Sequence, residues 1–100
     1  MSLKLIIRPE AEAEMMEAFD WYEAQRAGLG AELLLSIDAA INAISRNPQQ
    51  YPIVYKNLHR ALIRRFPYQI IYITDKEYIT VIAVFHARRN PKRWCKAFQT

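Results

Sequence analysis

After its helical half, the hydrophobic pattern of this chain changes to a strand period between Pro48 and Pro52. Before it, apolar residues recur at helical spacing: Ala11, Met15, Ala18, Phe19 and Tyr22, then Leu33, Ile37, Ala40, Ile41 and Ile44. After it come short runs rich in β-branched and aromatic residues. Helices that are segregated in sequence from a run of strands do not build alternating βαβ units. The pattern therefore predicts an α+β fold, not a parallel wound sheet.

The finer punctuation gives the order β-α-α-β-β-β. Leu3 to Arg8 reads as a short strand, and Pro9 opens a helix whose first turn holds Glu10 and Glu12, where the helix dipole favours acids. That helix is predicted to run to about Ala27. Gly28-Leu29-Gly30 holds both glycines of the chain and breaks it. A second helix ends near Arg46-Asn47-Pro48, and so short a connection makes the pair an antiparallel hairpin. Residues 48–52 read as a loop. Leu58 to Phe66, Tyr68 to Thr74 and Tyr78 to Ala87 then read as a three-strand antiparallel meander, with Asp75-Lys76-Glu77 as a tight turn. Pro91 to Phe98 is expected to close the chain with a short helical turn. The helical hairpin is expected to pack on one face of this small sheet.

One hundred residues suit a single domain spanning 1–100. No apolar run approaches the roughly 18 residues that cross a bilayer, so no membrane partner is expected. The N-terminus lacks the features of a signal peptide. The one cysteine, Cys95, excludes an intramolecular disulfide and fits a reducing cytoplasm.

Charge divides along the same line as the fold. Residues 1–50 carry four basic against eight acidic groups, a net of −4; residues 51–100 carry ten basic against two acidic, a net of +8. The strand-rich half is therefore strongly basic and peaks in Arg88-Arg89-Asn90-Pro91-Lys92-Arg93-Trp94, with Trp94 as a stacking surface. An anionic partner is the natural complement. Arg60, Arg64, Arg65, Arg88, Arg89, Lys92, Arg93 and Trp94 are the candidate binding residues. Strict alternation along the last strand puts Ile79, Val81, Ala83 and Phe85 under the helices, and Ile82, Val84, His86 and Arg88 on the far face. There Arg64 or Arg65 can join His86 and Arg88. Guanidinium forks grip phosphate and histidine moves protons near neutral pH, so this quartet is the catalytic candidate for metal-free RNA cleavage. The acids lie mainly on the first helix and form no ligand cluster with the histidines, so no metal or cofactor is expected. His59 reads as solvated, and Trp21, off the main stripe, as part of an exposed apolar patch suited to a protein partner.

The stretch Ala61-Leu62-Ile63-Arg64-Arg65-Phe66-Pro67-Tyr68, followed by Ile71-Tyr72 and then Val81-Ile82-Ala83-Val84-Phe85-His86-Ala87-Arg88-Arg89-Asn90-Pro91, resembles the RelE/ParE toxins of bacterial type II toxin–antitoxin systems. The opening strand, the Pro-Glu-Ala-Glu helix start and Trp21-Tyr22-Glu23 fit the same family. The resemblance implies the β-α-α-β-β-β fold and a cognate antitoxin whose acidic C-terminal segment wraps the toxin in a hetero-oligomer. It also implies one of two activities. RelE-like members cleave mRNA on the ribosome, often with a tyrosine near the C-terminus. ParE-like members inhibit DNA gyrase. No tyrosine follows Arg89 here, which favours the ParE-like branch. The RelE-like alternative would use His86 with Arg64, Arg65 and Arg88, and an inactive antitoxin-binding module is the third reading.

Overall fold

The computed structural model describes residues 3–88. The elements follow as β1 (Lys4–Ile7), α1 (Pro9–Gln25), α2 (Leu29–Arg46), a 3₁₀ turn (Pro48–Gln50), β2 (Ile53–Tyr55), β3 (Leu58–Leu62), β4 (Tyr68–Thr74) and β5 (Tyr78–His86). They form one five-stranded sheet in the order β1-β5-β4-β3-β2, antiparallel except where β1 runs parallel to β5. The α+β architecture expected from the pattern is present, and the proposed closing turn, Pro91 to Phe98, lies outside the described residues.

The helical hairpin is locked at its tip. Gly28 sits at φ 91°, in the left-handed region that a side chain makes costly. The Glu23 carboxylate, from the last turns of α1, accepts the Gly28 and Gly30 N–H groups at 2.8 and 2.9 Å. It thereby satisfies orphan donors at the start of α2 and favours the positive end of that helix's dipole. A Cβ at Gly30 would lie 2.7 Å from the Phe19 ring, so the helices touch where a side chain does not fit. The hairpin buries Ala11, Met15, Ala18, Leu33, Ile37, Ile41 and Ile44 against Ala61, Ile63, Ile70, Tyr72, Ile79, Val81 and Val84 of the sheet side. Each large aliphatic buried in this way contributes about 1.5–3 kcal/mol.

Three local expectations are corrected. The strand expected over Leu58 to Phe66 stops at Leu62. Arg65 turns through φ 73°, and the Ile63 N–H reaches the Tyr68 carbonyl across the bend. A three-residue strand, β2, follows the 3₁₀ turn and pairs with the start of β3 through a turn holding Lys56 at φ 50°. It is too short for a periodic signal. Residues 48–50 are one 3₁₀ turn within the expected loop.

The fourth correction governs the functional surface. Tyr72 pairs with Val81, but Ile71 pairs with Ala83, so β5 has one extra residue, Ile82, at this point. This β-bulge reverses the alternation. Ile79 and Val81 face the helices as expected. Beyond the bulge Val84 faces them, while Ala83 and Phe85 join Leu58, Ile71 and Ile82 in a second buried cluster on the opposite face.

Candidate partner-binding surfaces

The bulge moves His86 to the helix side of the sheet. It lies opposite Tyr68 in the β4–β5 register, with the two rings edge to face at 5.5 Å. Tyr68 continues into Tyr22 (6.0 Å), and Tyr22 into Trp21 (4.9 Å, 85°) and Phe66 (5.0 Å). Trp21, Tyr22, Tyr68 and His86 line a groove of about 460 Å³ between α1 and the end of β5, with Glu14, Glu17, Ala18, Val84, Phe85 and Arg88 completing it. The Arg88 N–H donates to His86 Nδ1 at 3.1 Å, so the neutral ring carries its proton on Nε2.

Glu14 explains how the groove is held open. The β1 register ends at Ile7 opposite Val81, which leaves the later amides of β5 without a strand partner on that side. Glu14 fills the gap: its Oε1 accepts the Val84 N–H at 2.9 Å. A charge-assisted bond of this kind contributes about 1.5–3 kcal/mol and fixes α1 against the strand. Nothing in the spacing of Glu14 singles it out from the other acids of α1.

The arginines go elsewhere. Arg60 is exposed on β3, opposite Ile71, on the sheet face away from the helices. Arg64 and Arg65 occupy the turn after β3 and line a second groove, about 730 Å³, between α2 and β3. Its floor is Leu35, Ser36, Ala39, Ala40, Ala43, Tyr51 and Leu62, and Arg46 adds a third cation. Leu35 and Leu62 are 70% and 61% exposed, an unusual cost for aliphatic side chains outside an interface. Arg65 donates to Glu32 Oε1 at 2.6 Å, and Arg26 reaches Glu32 Oε2 at 3.4 Å, so Glu32 partly neutralises the rim. Arg64 has no ion pair among the described residues. The expected quartet is therefore divided: His86 and Arg88 line one groove, Arg64 and Arg65 the other. Arg89, Lys92, Arg93 and Trp94 lie outside the described residues.

His59 is buried, 4% exposed, and not solvated as expected. Its Nδ1–H donates to the Tyr51 carbonyl at 2.8 Å and its ring stacks on Tyr72 (4.9 Å, 11°). The Tyr72 hydroxyl donates to the Pro48 carbonyl at 2.6 Å. Burial, and secondarily the neighbouring Tyr51, push the Tyr72 phenol well above its ordinary pKa. The trio pins the segment between α2 and β3 to the sheet. The turn before β5 is held by Asp75, whose carboxylate accepts the Glu77 and Tyr78 N–H groups, both at 2.8 Å, and is thereby kept below the usual carboxylate range. Among the described residues no three His, Cys, Asp or Glu side chains converge as metal ligands, and no helix is long and apolar enough to cross a membrane.

The family model described as "ParE toxin of type II toxin-antitoxin system, parDE" matches residues 5–91. The chain belongs to the ParE toxin family. Toxin ParE2 of Mycobacterium tuberculosis (strain CDC 1551 / Oshkosh) is 28% identical over 92 residues, spanning 91% of this chain and 88% of the relative. Among solved structures, the chromosomal ParDE toxin–antitoxin system of P. aeruginosa superposes with TM-score 0.76 at 12% identity, covering 85% of this chain and 96% of that one. The RelBE2 toxin–antitoxin complex of M. tuberculosis gives 0.61 at 17% identity, with 86% and 92% covered. A mutant of E. coli toxin RelE in the free state gives 0.60 at 12% identity, with 99% and 97% covered. At these identities the structural matches establish a shared fold. In this ParE-family toxin the matched span holds both grooves, together with the β5 bulge that sets the face His86 joins.

Proposed function

We propose that this ParE toxin is held inactive by a cognate antitoxin with an acidic C-terminal segment and that, once free in the cytoplasm, it inhibits DNA gyrase. The observation that carries the choice of activity is the division of the candidate residues. Cleaving RNA without metal calls for guanidinium groups around a proton-transferring side chain. Arg64 and Arg65 line the α2–β3 groove, whereas His86 lines the α1–β5 groove beside two carboxylates, which repel a phosphodiester. That arrangement supports obstruction of a target over chemistry on one.

The acidic antitoxin segment finds its complement at the α2–β3 groove. Exposed Leu35 and Leu62 offer apolar anchorage there, Ser36, Ala39, Ala40 and Ala43 allow close approach, and Arg46, Arg64 and Arg65 supply positive charge. Such a surface speeds the encounter with an anionic chain in a salt-dependent way.

The deciding experiment adds purified toxin to gyrase supercoiling reactions, with and without antitoxin. Inhibition by toxin alone, relieved by antitoxin, is expected. Supercoiling that continues unchanged at a molar excess of toxin would falsify the gyrase reading. Mapped mRNA cleavage on translating ribosomes would then point to an endonuclease using His86 and Arg88, and the absence of any growth defect on induction would point to an inactive antitoxin-binding module.

A further inference from the structure

The α1–β5 groove is opposite in sign to the basic half of the chain, and the antitoxin reading leaves it unused. Helix α1 has six acids and no lysine or arginine from Pro9 to Gln25. Several of these acids are occupied internally: Glu10 pairs with Arg8, Glu23 caps α2, and Glu14 holds the Val84 amide. Glu17 is exposed and has no ion pair among the described residues. Four residues on, and so on the same helix face, Trp21 is 58% exposed at the mouth of the groove. Its indole is braced edge-on by Tyr22 at 4.9 Å, so the ring is held in place while remaining open to solvent. A carboxylate and an accessible indole at this spacing suit a planar cation. A guanidinium stacks on the indole and forks to the carboxylate, whereas an ammonium satisfies only one of the two well. Arg88 also lines the groove, so it favours a partner that presents an acid beside its arginine.

We propose that the α1–β5 groove is the docking slot for an arginine presented by the toxin's protein target, with Glu17 and Trp21 as its receptors. The source is assigned to the target because an acidic antitoxin segment complements the other groove and is repelled by Glu14 and Glu17. Nucleic acid is disfavoured in the slot for the same reason. This inference rests on the reading of the chain as a toxin with a protein target, and it makes the two partners occupy surfaces of opposite charge.

Two measurements test it. In the first, Glu17→Arg and Trp21→Ala are compared with the wild-type toxin in supercoiling inhibition and in antitoxin binding. Each substitution is expected to raise the toxin concentration for half-inhibition at least about tenfold, a loss of about 1.4 kcal/mol, while the antitoxin Kd stays within about twofold, well under that tenfold step. Variants that inhibit like wild type would overturn the proposal. So would a parallel loss of antitoxin binding, which would assign the surface to the antitoxin. In the second, N-acetyl-arginine amide and N-acetyl-lysine amide are titrated into the free toxin while the Trp21 indole N–H is followed by NMR. A shift that is larger for the arginine probe and abolished by Glu17→Gln supports the slot. No shift, or one that Glu17→Gln leaves intact, refutes it. The second measurement does not depend on gyrase, so a failure of the gyrase reading and a failure of the slot are told apart.

Discussion

Replacing Tyr72 with phenylalanine removes one hydroxyl from a side chain that is fully buried, at 0% exposed. The ring keeps its stack on His59 and its edge contact with Tyr51. The loss is one hydrogen bond of 2.6 Å and the pairing of the Pro48 carbonyl, together about 1–2 kcal/mol. For a chain this small each kcal/mol lowers Tm by about 4–8 °C, so Tyr72→Phe should melt roughly 4–15 °C below wild type at pH 7. The pH dependence gives a sharper test. Burial first, and Tyr51 second, raise the Tyr72 pKa in the folded protein, whereas in the unfolded chain the phenol ionises near its ordinary value of about 10. Its contribution is therefore fully present below about pH 10. Above that the unfolded chain gives up a proton that the folded chain keeps, and stability falls by about 1.4 kcal/mol per pH unit until the folded pKa is reached. Phenylalanine has no such proton. The stability gap between wild type and variant should thus shrink by about 1.4 kcal/mol between pH 7 and pH 11. Urea unfolding of both proteins at pH 7, 9, 10 and 11 measures the gap. A gap that stays constant across the series would refute the assignment of Tyr72 as a buried, proton-retaining hydroxyl.

Glu14→Ala should cost about 1–3 kcal/mol by stranding the Val84 amide, and hydrogen exchange at Val84 should accelerate; wild-type protection there would contradict the role given to Glu14. Glu32→Ala breaks two exposed ion pairs and should change stability by less than about 1 kcal/mol, yet it unmasks Arg65 and should speed antitoxin association; an unchanged or slower on-rate counts against the cationic rim. Arg64→Glu should slow the same association at low salt, with the difference fading near 1 M, where charges are screened beyond about 3 Å; a salt-independent defect would mean that Arg64 acts by contact alone. His86→Ala should retain gyrase inhibition and growth arrest, and loss of toxicity together with loss of mapped mRNA cleavage would restore the endonuclease.

Much of the fold was legible because its signals are local. Pro9 and the acids after it start α1, both glycines punctuate the hairpin, and the stripe from Leu33 to Ile44 reports the buried face of α2. Trp21, off the Ala11-to-Tyr22 stripe of α1, announced an exposed aromatic. The misplaced features depend on partners distant in sequence. β2 and the burial of His59 arise together, because Tyr51 and the 3₁₀ turn fold back onto Tyr72 of β4. Arg64 and Arg65 read as strand residues until the positive φ at Arg65 turns the chain and Glu32, 33 positions earlier, claims the guanidinium.

By itself the sequence determined the order of the main elements and the split of charge between the acidic helical half and the basic strand half. Tertiary structure alone decided which of the candidate residues meet. A strand's faces follow from alternation only while each residue has one partner opposite, and Ile82 breaks that rule through its pairing with β4. One unpaired residue carried His86 through the plane of the sheet into an aromatic groove lined by Glu14, Glu17 and Arg88, while Arg64 and Arg65 line the other.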